Sequence, residues 1–291
     1  MQTRTLGTET TGTVEVSAIG LGEMPLSLAD RPDEQQAVRT IHAALDAGIT
    51  LIDTADAYSA ARDDMGHGER LVAKALAAYG GDTGSVLVAT KGGHLRTGDG
   101  GWTLDGSPAH LRSACEASLR ALGVDAIGLY QHHRPDPQVP YEETIGALKE
   151  LYDAGKIRMA GISNADAGQI RTARRILGGA LVSVQNQFAP DFRSSEGELR
   201  LCAELGLAFL PWSPLGGIGR AGRIAGMAEF AAVAEAHGVS PQQVTLAWML
   251  AKSPTVLPIP GSSRPETITD SARAADLTLT AEEVARLDAT G

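Results

Sequence analysis

Short apolar runs alternate along this chain with longer stretches in which apolar residues recur at helical spacing. The first apolar run is Ala18 to Gly22. Asp33 to Ala47 then sets Val38, Ile41, Ala44 and Leu45 on one face of a helix. Thr50 to Asp53 follows as a strand, Glu69 to Tyr79 as a helix and Val86 to Lys91 as a strand. Pro108 to Leu122 is predicted helical, with proline in its first turn. The alternation continues with strand Ala126 to Gln131, helix Tyr141 to Ala154, strand Ile157 to Ser163, helix Ala167 to Leu177 and strand Leu181 to Gln185. Helix Glu198 to Glu204, strand Leu207 to Trp212, helices Ala225 to His237 and Pro241 to Ala251, and strand Thr255 to Ile259 complete it. Helices Pro265 to Arg273 and Ala281 to Ala289 close the chain.

Strict alternation implies a parallel sheet, and eight such strands imply closure into a single α/β barrel of the (β/α)8, or TIM, type. Residues 4–17 fall outside that count. Thr5-Leu6 and Val14 to Val16, with Gly7 and Gly12 near the turn, read as an N-terminal β-hairpin expected to plug the barrel's bottom. Extra helices lie near the C-terminus. No Pro/Ser-rich linker or fixed-period repeat divides the chain, so residues 1–291 read as one domain.

Composition narrows the partners. The hydrophobic fraction is 43%, enough for a large core. A net charge of -10 argues against a nucleic-acid binder, which needs a basic footprint. No apolar run is long enough to span a bilayer, and the N-terminal residues lack a signal-type segment. Cys115 and Cys202 sit in predicted helices without CxxC spacing and read as reduced packing residues of a cytoplasmic protein. The expected partner is a small molecule, with the chain a monomer or weak homo-oligomer.

Polar and ionisable residues gather where the apolar runs stop: Asp53, Lys91, His133, Ser163-Asn164, Gln185, Trp212-Ser213 and Ser262 to Arg264. Any one of these is most simply a cap or a turn residue. A habit repeated at nearly every strand needs a common cause, and in a barrel these ends converge on the rim that carries active sites. An acid closing a buried strand, as Asp53 does, also needs a partner to offset its desolvation. Tyr58, five residues after Asp53, can donate a proton, and an ammonium such as Lys91 is expected to lower its pKa from about 10. Asp53 can hold Lys91, and a neutral His133 can hydrogen-bond a substrate oxygen. This set suits protonation of a carbonyl oxygen while hydride reaches the carbon. Side chains carry no hydride, so a nicotinamide is implied. Ser163, Asn164 and Gln185 offer donors and acceptors for its carboxamide, and Trp212 a flat face for its ring.

At these residues the chain resembles the aldo-keto reductases, from Leu6 to Leu287. The motifs are Gly48-Ile-Thr-Leu-Ile-Asp53-Thr-Ala-Asp-Ala-Tyr58, Gly66-His67-Gly68-Glu69, Val88-Ala-Thr-Lys91, Leu129-Tyr-Gln-His-His133-Arg-Pro-Asp, Gly161-Ile-Ser163-Asn164, Gln185-Asn-Gln-Phe, Trp212-Ser-Pro-Leu215-Gly and Ile259-Pro-Gly-Ser-Ser-Arg264-Pro-Glu. The resemblance implies a (β/α)8 barrel that binds NADPH in extended form and reduces aldehydes and ketones. It implies a catalytic tetrad of Asp53, Tyr58, Lys91 and His133, with Asp53 also near the cofactor. It implies carboxamide contacts from Ser163, Asn164 and Gln185, stacking by Trp212, and a pyrophosphate loop from Ser213 through Leu215 to Gly217. Gly261, Ser262, Arg264 and Asp270 are then expected around the adenosine end, with the Arg264 guanidinium matched to a 2′-phosphate. Ser271 stands where relatives often carry Asn. His132 replaces a usually apolar residue; strand alternation lets only one of the pair face the mouth, and the motif position, with Arg134-Pro135-Asp136 following, implies that it is His133, leaving His132 packed outward.

Three rival readings are weaker. Gly217-Ile-Gly219-Arg-Ala-Gly222 is a literal GxGxxG, but it lies too near the C-terminus to found a doubly wound domain. A metal-dependent barrel hydrolase needs ligands at the strand ends, and the first strand ends Gly22-Glu23-Met24 without a histidine pair; no metal is expected. A cofactor-binding regulatory β-subunit with little turnover is the third. The substrate pocket is expected from Met24, His94, Trp102 and Phe188, with the glycine-rich loop 92–107 mobile and able to close over substrate.

Overall fold

The computed structural model describes residues 1–290. The chain opens with an antiparallel hairpin of β1 (Thr3–Thr8) and β2 (Gly12–Ser17). Then come β3 (Leu21–Gly22), α1 (Glu34–Asp46), β4 (Leu51–Asp53), α2 (His67–Ala78) and β5 (Leu87–Gly92). A second hairpin, β6 (His94–Arg96) with β7 (Trp102–Leu104), precedes α3 (Pro108–Leu122). The series resumes with β8 (Leu129–His132), α4 (Tyr141–Asp153), β9 (Ala160–Ser163), α5 (Ala167–Leu177), β10 (Leu181–Gln185), α6 (Glu196–Leu205) and β11 (Ala208–Phe209). Helices α7 (Ala228–His237), α8 (Pro241–Lys252), α9 (Pro265–Arg273) and α10 (Ala281–Asp288) complete it.

Among the described residues, β3, β4, β5, β8, β9, β10 and β11 form one parallel sheet in that order. The expected eighth strand closes the ring without forming a regular strand. Leu257 N–H donates to Phe209 O at 2.9 Å and Ile259 N–H to Pro211 O at 3.3 Å on one side. On the other, Gly20 N–H donates to Pro258 O at 2.9 Å and Gly22 N–H to Pro260 O at 3.0 Å. Pro258 and Pro260 have no N–H to return, so the ladder toward β3 is half made. The barrel is closed, with a seam between its first and last segments.

Two apolar shells follow from the period of two along each strand. Outward residues such as Ile52, Tyr130, Ile162 and Phe209 pack under the helices. Inward residues Leu51, Ala89, Leu129, Met159 and Leu257 fill the barrel's lower half, where Leu6 and Val16 of the first hairpin close it from below, as expected of a plug. Two positions further along three of those strands the inward layer turns polar, at Asp53, Lys91 and Gln131. In β10 a bulge between Leu181 and Ser183 resets the alternation. Val182 faces the barrel interior and Val184 the helices, yet Ser183 and Gln185 also face inward, to Gln131 and Asp53. Without the extra residue Gln185 would point at the helices.

The helices carry their own signals. Asp33 caps α1 by accepting from Gln36 N–H at 2.7 Å, and Asp166 with Gln169 forms a reciprocal capping box on α5. Among the described residues no helix is long and apolar enough to cross a membrane. Cys115 and Cys202 are free, buried thiols, each pushed up to about 12 by burial.

Candidate active site

The strand ends meet in a cleft of about 710 Å³ that runs from Met24 and Trp102 to Asp270 and Ser271. Asp53, Tyr58 and His133 line it. Lys91 lies just beneath, fully buried. Its ammonium donates to Asp53 Oδ2 at 2.6 Å, to Thr54 O at 2.8 Å and to the Tyr58 hydroxyl oxygen at 3.1 Å. The other Asp53 oxygen accepts from Gln185 Nε2 at 2.7 Å and Gln131 Nε2 at 3.2 Å. Gln131 is a support the sequence reading passed over, although it lies two residues before His133 on the same strand phase. Gly161 belongs to this layer as well: a Cβ there would collide with Ser183 Oγ and stand 2.8 Å from Gln131 Cγ.

Protonation follows from burial and these pairs. Burial pulls the Lys91 ammonium down, but Asp53 and Tyr58 together hold it above its ordinary value. Burial pushes the Tyr58 phenol up, and the opposing pull of Lys91 does not overcome it. The expected net lowering of Tyr58 is therefore corrected: the ammonium acts as expected, and desolvation of a phenolate outweighs it. Burial, then the charge of Lys91, depresses His133 well below its usual range, so its imidazole is neutral. The Tyr58 and His133 rings meet edge-on at 5.7 Å. His132 points the other way, buried with its ring 6.0 Å from that of Tyr141 on α4.

Around Asp53, Tyr58, Lys91 and His133 lie three further buried carboxyls that the sequence reading did not single out. Glu23 accepts from Ser27 Oγ and from Thr54 Oγ1, the latter at 2.9 Å, and burial raises it to about 7. Glu69 accepts from Thr90 Oγ1 at 2.6 Å and is raised by burial. Asp56 is raised well above its ordinary value by burial and then by Glu69, and its Oδ1 is buried without a partner. Glu23 directly follows β3, Asp56 comes shortly after β4, and Glu69 stands in the first turn of α2, where an acid reads as an ordinary helix-start residue.

Along the cleft, Ser163 Oγ donates to Gln185 O at 2.7 Å, and Asn164 Nδ2 to His133 O at 3.0 Å. Asn164 (φ 56°) and Ser213 (φ 50°) are the only non-glycine residues among those described with positive φ, and both line the cleft. Left-handed backbone at such residues costs about 1–3 kcal/mol each and collects at functional sites. Trp212, Ser213, Leu215 and Gly217 follow one another along the wall, and the Trp212 Nε1 is buried without a partner. Gly217, at φ 100°, adopts a turn that a side chain would strain. The literal GxGxxG leads into the short 3-10 turn Ala221–Gly226, with no helix at its start of the dinucleotide-binding kind. Gly261, Ser262 and Arg264 line the far end, where Arg264 is exposed and its Nε lies 3.5 Å from Glu266. Asp270 also lines it, but its carboxylate already accepts from Ser240 Oγ and Gln243 Nε2, both at 2.6 Å.

The expected substrate pocket is only partly assembled. Met24, His94 and Trp102 line the cleft. Phe188 does not: it is fully buried, stacked on Trp248 at 5.6 Å and edge-on to Phe209 at 6.3 Å. The chain after β10 folds back, with Phe188 N–H to Trp212 O at 3.4 Å, and turns that ring into the apolar shell. The stretch 92–107, expected as an irregular loop, holds the paired strands β6 and β7. Trp102 stacks on His94 at 4.5 Å, and the Arg96 guanidinium lies 4.2 Å from the Trp102 ring. Arg96 Nη2 donates to Ala60 O at 3.1 Å, tying the hairpin to the loop after β4. Among the described residues, no group of three His, Cys, Asp or Glu side chains is arranged to hold a metal ion.

Residues 18–291 match the profile of the Aldo/keto reductase family. A Schizosaccharomyces pombe protein named as an uncharacterized oxidoreductase is 35% identical over 291 residues, covering 98% of this chain and 90% of its own length. A thermostable aldo-keto reductase solved with the inhibitor epalrestat is 28% identical and covers 100% of both chains at a TM-score of 0.82. An aldo/keto reductase from Klebsiella pneumoniae, solved with NADP and acetate, is 29% identical with a TM-score of 0.79, over 94% of this chain and 91% of its own. A shared barrel alone would not decide between families. A profile match across nearly the whole length and a relative of this identity do, and the chain belongs to the aldo/keto reductase family of oxidoreductases.

Proposed function

We propose that this protein reduces an aldehyde or ketone with NADPH, Tyr58 giving the proton. One observation carries the reading: a hydroxyl lining a cleft receives a hydrogen bond from a buried ammonium that is itself held by a carboxylate. The cleft fits an extended dinucleotide. It offers a buried, unpartnered indole N–H at Trp212, two strained polar residues in Asn164 and Ser213, and a guanidinium at Arg264 beyond the last barrel segment. NADPH, when bound, supplies the hydride that no side chain can.

The chain's own groups do the rest. The Tyr58 O–H donates its proton to the carbonyl oxygen as the carbon is reduced. Lys91 stabilises the phenolate left behind, and Asp53 keeps Lys91 charged and in place. Gln131 and Gln185 fix Asp53 through its second oxygen. His133, neutral, donates a ring N–H to the same carbonyl oxygen and selects its approach. Proton donation of this kind contributes about 10²–10⁴ in rate. On this reading Ser163, Asn164 and Gln185, which line the cleft, bind the carboxamide, and Arg264 binds the 2′-phosphate.

Tryptophan fluorescence titrated with NADPH and NADH side by side tests the reading. Quenching with NADPH preferred, lost in Trp212→Leu, is the expected result. No quenching with either nucleotide would remove the oxidoreductase assignment of this cleft.

A further inference from the structure

Arg134 directly follows His133 and lines the substrate end of the cleft. Its side chain is exposed and, among the described residues, pairs with no carboxylate, unlike Arg31, Arg70 and Arg112. The acid nearest in sequence, Asp136, is already taken: its two oxygens accept from Gly106 N–H at 3.0 Å and Gln138 N–H at 2.9 Å. The carboxylates that line the cleft are committed elsewhere. Asp53 is bound to Lys91, Asp270 to Ser240 and Gln243, and Glu266 lies beside Arg264. A second guanidinium, Arg96, stands at the same end over Trp102, with its Nε buried and unpartnered. The charge of Arg134 reaches the catalytic centre, since it helps keep both His94 and His133 neutral.

The chain as a whole carries a net charge of -10. Against that balance the Arg134 guanidinium is a local positive charge on the wall of the cleft, and such a charge draws in ligands of the opposite sign. A guanidinium also presents a planar fork that matches carboxylate and phosphate oxygens. We infer that Arg134 anchors a second, anionic group of the substrate, so that the preferred carbonyl compounds bear a carboxylate or a phosphate. The inference rests on the carbonyl-reductase reading of the same cleft. The anionic group is a handle: hydride still goes to the carbonyl carbon and the Tyr58 proton to its oxygen, and the product alcohol keeps its charge.

Two matched pairs test this: 4-carboxybenzaldehyde against 4-methylbenzaldehyde, and glyceraldehyde 3-phosphate against glyceraldehyde. We expect the anionic member of one pair to be favoured in kcat/KM by about tenfold, the order of one charge-assisted contact. The pair that shows the preference identifies carboxylate or phosphate. In Arg134→Gln the ratio should fall to near parity, through KM rather than kcat, while Arg134→Lys keeps part of it. Parity in the parent for both pairs, or an unchanged ratio in Arg134→Gln, would overturn the anchor. Calorimetric titration with the same compounds in the presence of NADP+ separates the two readings. Arg134-dependent binding of the anionic member without reduction of any aldehyde would retain the anchor and remove the reductase. Reduction with equal binding of charged and neutral members would remove the anchor alone.

Discussion

The Lys91 ammonium lies 2.6 Å from Asp53 Oδ2, and neither side chain meets solvent appreciably, at 0% and 3% exposure. Removing either partner would leave an unpaired buried charge, at a cost of about 3–5 kcal/mol. Substitutions at Lys91 or Asp53 therefore mix lost chemistry with lost folding. Tyr58 is the cleaner probe, because its ring can stay while its oxygen goes.

In Tyr58→Phe, we expect carbonyl reduction to fall by about 10²–10⁴, the range of general-acid catalysis, with cofactor affinity retained. Steady-state rates beside a fluorescence titration measure both. Reduction at the parent's rate would remove Tyr58 as the proton donor.

Arg264→Ala should weaken NADPH by about tenfold or more, one charged contact's worth, while NADH changes little. Its side chain is 60% exposed with a distant partner in Glu266, so its loss should barely move the folded state. Equal losses for the two nucleotides would place the 2′-phosphate elsewhere.

The pH profile has a predicted sign. His133 is depressed well below 6.5, so the neutral, donating imidazole persists as pH falls through that value. Tyr58 is raised, so its proton persists as pH rises through 10. Initial rates of reduction at saturating substrate should stay level from neutral pH down past 6.5. An inflection near 6.5 that disappears in His133→Gln would show an imidazole titrating normally and refute the assignment.

Glu23 bears on stability rather than rate. Its folded pKa of about 7 lies above the ordinary 4.5, so the native state holds a proton that the unfolded chain releases. Its contribution is complete below 4.5 and is lost as pH rises through 7, and the displacement is worth about 3 kcal/mol. Glu23→Gln keeps the shape without the charge. Its unfolding midpoint should match the parent's near pH 5 and exceed it at pH 8. Parallel pH curves for the two proteins would show that Glu23 does not titrate in that window.

Much of this was legible from periodicity. The bounds of α3, α5 and α9 match the apolar pattern, and the polar residues closing β4, β5 and β10 lie together. What failed was local. The stretch 92–107 is dense in glycine, which reads as irregular loop, yet Gly100 and Gly101 turn a hairpin that carries the His94–Trp102 stack. Phe188 follows a barrel strand and so reads as rim, but only the fold-back toward Trp212 reveals its burial. The bulge that aims Gln185 at Asp53 leaves no mark in the composition of β10, because its residues suit either face. The net protonation of Tyr58 depended on depth, which residue spacing does not report.

The seam between the first and last barrel segments has a consequence for self-association. Bringing the segment around Pro258 back to Gly20 joins residues far apart in sequence, a contact of the kind that forms late in folding. Until it forms, both segments are open strand edges, and open edges recruit other chains. Pro258 and Pro260 turn carbonyls toward that gap but no amides. A stray strand from another copy could therefore satisfy only half its bonds there. The prolines that thin the ladder in the finished barrel also make the last segment of the unfinished one a poor template for another chain.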